Sequence, residues 1–171
     1  MALAYAVACR GGCHNRAFDV AGSQLRMGKW ERVSPEGKAK LVKDGEDLGA
    51  VYDSLVFCAF AAKAVTLEDV SNMLYAVTGI ESSVDSLLKA GERICNLERM
   101  FNVREGISRK DDTLPLRLLE EPIVNGPSKG HVVQLKEMLD NYYSLRGWDQ
   151  NGIPTKYKLA ELGIFPAYIK N

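Results

Sequence analysis

The sequence predicts an all-α, multihelical fold, and three features support this class. Helix-start signals recur along the chain, each followed by helix-forming residues, at Ser34-Pro35, Thr66 and Ser83. Glycines stand where helices are expected to end, at positions 79, 106, 147 and 163. No segment keeps the two-residue alternation of a strand for long.

The first two helices are expected on either side of a loop. Residues 1–9 are almost wholly apolar and predict a buried helix that Gly11 and Gly12 would stop. Residues 15–32 lack a clean period and indicate an ordered loop. The next helix is expected over residues 35–63. Its later part, 48–62, is expected to be buried because only Asp53 and Ser54 interrupt the apolar side chains.

The remaining helices are marked by capping signals and periodicity. A capping box at Thr66 begins a helix that runs to Val77, and another begins near Ser83 and ends by Gly106. Residues 107–130 contain three prolines and two glycines, which predicts a long connection that is functional or packed over a surface. An amphipathic helix is expected over 132–145, and Thr155 is expected to cap a last short one over 156–162.

Charge and hydropathy argue against several classes of function. The 22 basic side chains are balanced by 22 acidic ones, so there is no electrostatic basis for binding nucleic acid or an anionic membrane. No apolar run approaches the ~18 residues of a membrane-spanning helix. No basic segment precedes residues 1–9, so they do not resemble a secretion signal. A cytoplasmic protein with reduced cysteines is expected.

The first candidate site combines Asp53 with Cys58. A carboxylate inside an apolar helical turn is costly unless it is paired, and it is a suitable acceptor for the N–H groups of a heterocycle. A thiolate five positions later is a suitable ligand for iron or another soft metal. The alternative is that Asp53 is a capped core residue and Cys58 an inert buried thiol.

Two other segments contain polar side chains that are candidates for a functional site. Residues 10–14, Arg-Gly-Gly-Cys-His, contain glycines that allow close approach to a ligand and a histidine, His14, that can move protons near neutral pH. The alternative is a helix C-terminal cap followed by a polar turn. Residues 109–115 mix basic and acidic side chains beside a proline, which is typical of a solvated, salt-bridged loop. Cys9, Cys13 and His14 are too few ligands for an independent zinc site.

Five segments occur in an order that matches a known family. Residues 3–14 resemble a family segment that ends in an arginine-glycine pair and a histidine. Residues 53–58 resemble its second pterin-binding motif, although Val56 stands where glycine is usual. The loop over 102–117, the signature over 142–155 and the ending over 159–163 complete the set. The chain thus resembles, over nearly its whole length, the C-terminal helical domains of the tungsten-containing aldehyde:ferredoxin oxidoreductase family.

This resemblance implies a redox function with two cofactors. Family members hold tungsten between two pterins beside a 4Fe-4S cluster, oxidise aldehydes to carboxylates and pass electrons to ferredoxin. By resemblance, Cys58 would be one of four cluster ligands, and Asp53 would hydrogen-bond the pterin between Leu55 and Phe57. His14 would be catalytic, through a hydrogen bond to the aldehyde oxygen or through proton transfer. The resemblance separates neither tungsten from molybdenum nor one aldehyde from another.

The resemblance also implies that parts of the site lie outside residues 1–171. The other cluster cysteines, the first pterin motif and the β-rich N-terminal domain have no counterpart here. The chain is therefore expected to bind neither cofactor alone, to need an N-terminal portion or partner subunit, and to self-associate through residues 1–9 or the Cys58 region. Two lobes are expected, at about 1–106 and 107–171. The alternative is a cofactor-free helical interaction module that retains the fold.

Overall fold

The all-α prediction is confirmed by the computed structural model, which describes residues 1–17, 20 and 31–164. This part contains no strand, and its helices include the 3-10 turn Ala61–Lys63. The α-helices are α1 (Ala2–Ala6), α2 (Lys38–Ser54), α3 (Leu67–Thr78), α4 (Val84–Arg104), α5 (Leu116–Glu120), α6 (Leu135–Arg146) and α7 (Lys156–Glu161). None of these helices is both long and apolar enough to cross a membrane. Most of the loop predicted over 15–32 lies outside the described residues.

Helix α2 is the centre of the fold, with α4 packed along it and α6 on another side. The approach of α4 is close because Gly91 has no side chain: a Cβ there would lie 2.1 Å from the backbone oxygen of Asp47. Helix α1 contacts both α2 and α6, and α3 packs on α4. The arrangement fixes both ends of α2, where the two sites discussed below are found.

Apolar side chains are divided among three clusters. The largest joins α1, the first half of α2 and α6, and includes Leu3, Val42, Met138 and Tyr142. A second surrounds Val51 at the other end of α2, and a third lies under α7. The largest cluster draws on residues before and after position 106, and the division into two lobes stays a prediction.

Two arginines are buried with acidic partners, and sequence patterns did not predict either group. Arg146 is fully buried and donates hydrogen bonds to Glu46, at 2.8 Å, and to Asp47. Arg99 donates two hydrogen bonds to Asp112, at 2.8 and 2.7 Å. Asp112 is buried, so the interpretation of 109–115 as a solvated loop is wrong for this residue.

The predicted helix over 35–63 is wrong at both ends. It begins at Lys38, because Gly37 before it adopts a left-handed conformation with φ 70° that interrupts the helix. The Ser34 hydroxyl accepts a hydrogen bond from the Glu36 N–H, so it stabilises a turn instead of capping α2. Helix α2 ends at Ser54, and the expected burial of 48–62 fails beyond it: Val56 is 93% exposed and Phe60 75% exposed.

The other helix boundaries lie close to those predicted. Thr66 and Ser83 each form a capping box with the third helical residue, and Thr155 accepts a hydrogen bond from the Lys158 N–H at 3.2 Å. The helix predicted over 1–9 is shorter, since it ends at Ala6. Leu3, Ala4 and Ala6 are buried as expected, whereas Tyr5 is 37% exposed.

Candidate functional site

The candidate site is the chain reversal that follows α2. The Phe57 N–H donates to the Tyr52 oxygen at 2.8 Å, and this bond turns the chain back on the end of the helix. Val56, at the turn, has φ 55°, the only positive φ outside glycine among the described residues. Leu55 and Phe57 pack against the second apolar cluster, where the Phe57 and Tyr52 ring centroids are 5.9 Å apart. The turn is thus anchored by two apolar side chains.

Cys58 is exposed, three residues before the 3-10 turn Ala61–Lys63. The backbone N–H groups of Ala61 and Phe60 donate hydrogen bonds to its sulfur, and they lower the pKa of the thiol. Hydrogen bonds of this kind favour the thiolate, which is the form that ligates soft metals. The alternative of an inert buried thiol does not describe this residue.

Two of the other cysteines have the opposite character. Burial, together with the neighbouring Glu98 carboxylate, raises the pKa of Cys9 to about 11. Burial also raises the pKa of Cys95. Within the described residues, no three His, Cys, Asp or Glu side chains are grouped so that they could hold a metal ion. Cys58 is therefore available as a ligand only to a metal centre that other residues help to bind.

Asp53 is half-exposed and paired with an arginine that sequence reasoning overlooked. The Arg16 Nε lies 3.3 Å from the Asp53 carboxylate, and the Arg16 Nη2 lies 2.5 Å from the Glu98 carboxylate. The backbone of Arg16 crosses α2 directly at Gly49, where a Cβ would be 2.1 Å from the Arg16 oxygen. The Arg16 guanidinium thus forms an ion pair with one carboxylate oxygen of Asp53 beside the helix end, without a hydrogen bond from Nε.

The signal that could have pointed to Arg16 is weak. It is a single arginine in a segment without periodicity, and its acidic partners lie 37 and 82 positions further along the chain. Ion pairs over such separations depend on tertiary packing, which has no sequence period. Gly49 is the only local hint, since glycine inside a helix can mark a close backbone approach.

His14 lies on the same loop as Arg16 but is not joined to the rest of the candidate site. Its imidazole is exposed, and its ring centroid lies 6.3 Å from that of Tyr5. Among the described residues, no hydrogen bond or ion pair connects His14 with Asp53 or Cys58. The structure therefore brings together Asp53, Leu55, Phe57 and Cys58, and it places His14 two residues from Arg16, which pairs with Asp53.

Comparison with known proteins identifies a family over almost the whole chain. The family model described as aldehyde ferredoxin oxidoreductase, domains 2 and 3, matches residues 1–164. The chain is 45% identical over 167 residues to a tungsten-containing aldehyde ferredoxin oxidoreductase of Pyrococcus horikoshii, covering 95% of this chain and 27% of that protein. Its counterpart in Pyrococcus furiosus is 43% identical over 171 residues, covering 97% of this chain and 28% of that protein.

Two less similar proteins are named for other reactions. An aliphatic sulfonate oxidoreductase WOR-like subunit of Pyrococcus furiosus is 35% identical over 129 residues, which is 70% of this chain and 20% of that protein. The solved active-site complex BamBC of benzoyl coenzyme A reductase, with bound 1,5-dienoyl-CoA, aligns with a TM-score of 0.65 and 29% identity. This alignment covers 80% of the chain described here and 20% of the reductase chain.

The alignments with the tungsten-containing relatives extend over nearly all of this sequence but only part of theirs. The chain spans about a quarter of the length of the curated relatives it matches. It corresponds to the helical region at their C-terminal end, in agreement with the all-α fold. The chain belongs to the aldehyde ferredoxin oxidoreductase family.

Proposed function

We propose that this chain supplies the C-terminal helical part of a tungsten-pterin, iron-sulfur enzyme that oxidises aldehydes to carboxylates and passes the electrons to ferredoxin. The observation that supports the proposal most directly is the exposed Cys58 thiol, whose pKa two backbone N–H groups lower. Cys58 is an exposed thiol with a lowered pKa, five residues from an exposed carboxylate, on a turn that resembles a pterin motif. It is well suited to a shared cofactor surface.

The residues at this turn fit the two groups chemically. Cys58 would supply one thiolate to a 4Fe-4S cluster, and the exposed oxygen of Asp53 would accept hydrogen bonds from pterin N–H groups. When bound, the tungstopterin supplies the two-electron oxidation and the cluster carries the electrons onward. Leu55 and Phe57 would flank the ring, and the Arg16 guanidinium, 3.3 Å from the Asp53 carboxylate, lies beside the same helix end.

His14 is proposed to act on protons. Conversion of an aldehyde and water to a carboxylate releases three protons and two electrons, so an acceptor close to the reacting oxygen is useful. The imidazole of His14 is exposed and can accept a proton at a ring nitrogen. Arg16, two positions later, ties its loop to the Asp53 end of α2.

We further propose that protein outside these 171 residues completes both cofactor sites. A cubane needs four thiolates, and Cys58 is the only cysteine here that combines exposure with a lowered pKa. The isolated chain is then inactive and binds neither cofactor. Elemental analysis for tungsten, molybdenum and iron on anaerobically purified chain tests this, and about one tungsten and four irons per chain would contradict it.

The function itself is tested by completing the site. The chain is co-expressed anaerobically with the N-terminal part of the Pyrococcus horikoshii relative, and aldehyde-dependent reduction of ferredoxin is measured. Activity and a reduced-cluster EPR signal are expected. The Cys58→Ser variant should lose most of the EPR signal, whereas Cys13→Ser should keep it. Equal signals in both variants would contradict the assignment of Cys58.

The Cys58 region is also the basis for our proposals on self-association and cellular location. Leu3, Ala4 and Ala6 of α1 are buried within this chain, and the larger exposed apolar side chains Val56 and Phe60 mark the Cys58 region as the place for self-association. We propose that the isolated chain associates through this region in the cytoplasm, where its thiols stay reduced. Sedimentation velocity should show dimers that Phe60→Ser dissociates.

A further inference from the structure

A cavity at the opposite end of α2 is separate from the proposed cofactor surface. It has a volume of about 190 Å³ and lies between the starts of α1, α2 and α6 and the segment that contains α5. Lys38 at this end and Asp53 at the other are 15 residues apart on one helix, or about 22 Å along its axis. A molecule bound in this cavity would therefore not touch the residues proposed to hold the pterin.

The inner walls of the cavity are apolar. They include Leu3 and Val42, which are almost fully buried, and Ile123 and Val132, which are closer to its mouth. An apolar cavity of roughly 150 Å³ is enough to bind benzene in a protein core. The cavity thus has room for one small aromatic or branched aliphatic group.

Positive charge surrounds this apolar space. Lys38 is only 6% exposed, and its ammonium donates a hydrogen bond to the Glu31 backbone oxygen at 2.7 Å. Arg32 and Arg117 also line the cavity, and neither forms an ion pair within the described part of the chain. Glu121 is the one carboxylate among the described lining residues, so positive charge exceeds negative charge there.

A buried ammonium next to apolar walls indicates the class of ligand. Burying a charge is costly. The Glu31 carboxylate offsets part of that cost for Lys38, and an anion brought into the same low-dielectric space offsets more of it. Apolar walls exclude a fully hydrated anion such as phosphate, and the ring of cations disfavours a basic ligand. The remaining class is a molecule with a small apolar body and one carboxylate.

We propose that this cavity is a binding site for a small amphipathic carboxylate, of about the size of benzoate. Its apolar body contacts Leu3 and Val42, and its carboxylate lies toward Lys38 and Arg117. The site is independent of the proposed redox function, since no metal, pterin or electron acceptor takes part in it.

The test is a titration of the 171-residue chain with benzoate. Binding is measured by isothermal titration calorimetry and by changes in amide chemical shifts. Saturable binding is expected, with the largest shifts at residues that line this cavity. Benzamide has the same shape without the charge and should bind at least about tenfold more weakly. Equal affinity for benzamide, or no saturable binding of benzoate, would overturn the proposal.

Matched variants assign the binding to this cavity. Lys38→Met should weaken benzoate binding by about tenfold, because it keeps the length of the side chain and removes its charge. Lys40→Met is the control, since Lys40 lies on the same helix but is exposed and paired with Asp44. Arg117→Gln changes an exposed residue, so it gives a second measurement even if Lys38→Met does not fold. Unchanged affinity in both Lys38→Met and Arg117→Gln would also overturn the proposal.

Discussion

Val56 has a backbone conformation that its side chain disfavours. A β-branched residue with a left-handed φ is strained by roughly 1–2 kcal/mol, and Val56 is 93% exposed, so little packing offsets the strain. The conformation is imposed from both sides, because Leu55 and Phe57 are anchored in the second apolar cluster. This position is also the one where the sequence departs from the glycine of the pterin motif, so the structure retains a glycine-like turn without glycine.

Val56→Gly should therefore stabilise the chain. We expect a gain of about 0.5–1 kcal/mol in the free energy of unfolding, since the relief of strain exceeds the entropy that glycine adds to the unfolded state. Urea denaturation measures the change. Val77→Gly is the control, because Val77 is 85% exposed within the ordinary helix α3 and its replacement should destabilise by about 0.3–0.5 kcal/mol. Loss of stability in both variants would show that Val56 is not strained.

Replacing one carboxylate oxygen of Asp112 by an amide nitrogen is expected to cause a large loss of stability, because Asp112 is paired with Arg99. Both side chains are buried, and Arg99 also donates to the Gly152 oxygen at 2.7 Å. Asp112→Asn leaves the guanidinium buried without a counter-charge, so a loss of about 3–5 kcal/mol in unfolding free energy is expected. Asp140→Asn breaks the more exposed pair with Arg109 and should cost less than about 1 kcal/mol. Thermal or urea unfolding separates the two, and similar losses would mean that burial does not decide the strength of these pairs.

At the scale of helices, the contact between α2 and α4 depends on one missing side chain. A Cβ at Gly91 would lie 2.1 Å from the Asp47 backbone oxygen, and a backbone atom cannot move aside as a side chain can. Gly91→Ala should therefore destabilise by about 1–3 kcal/mol, although alanine is the better helix former. Gly45→Ala is the matched control, since its Cβ would meet only a Val20 methyl group at 3.0 Å. Urea midpoints at constant slope measure both, and a stabilised Gly91→Ala would contradict the packing.

Sequence reasoning succeeded where helix ends are decided locally. The starts of α3 and α4 were predicted because the capping boxes at Thr66 and Ser83 need only residues three positions apart. The end of α2 was not predicted, because Val56 reverses the chain only when its neighbours reach a cluster that α2 forms together with α3 and α4. For the same reason Asp53 and Cys58 were found by motif, whereas Arg16 was missed: its position depends on a loop crossing α2 at Gly49.

For the molecule as a whole, burial of titratable groups determines whether the free energy of unfolding rises or falls with pH. Burial raises the pKa of Cys95 and of Tyr142, and burial beside Glu98 raises that of Cys9 from 9.0 to about 11. Each of these groups keeps its proton longer in the folded chain than in the unfolded one. The stability that they contribute is complete below the unfolded pKa and is lost as the pH rises through the folded value.

The chain should therefore lose stability in alkali, and for Cys9 the loss falls between about pH 9 and 11. Urea unfolding at intervals from neutral pH to pH 11 would show a free energy that is level at first and then declines. Cys95→Ala removes one buried thiol and should make the decline shallower, whatever its effect at neutral pH. Cys58→Ala removes an exposed thiol with a lowered pKa and should leave the decline no shallower. If the decline were equally steep in Cys95→Ala and in the unaltered chain, ionisation of the buried Cys95 thiol would not contribute to it.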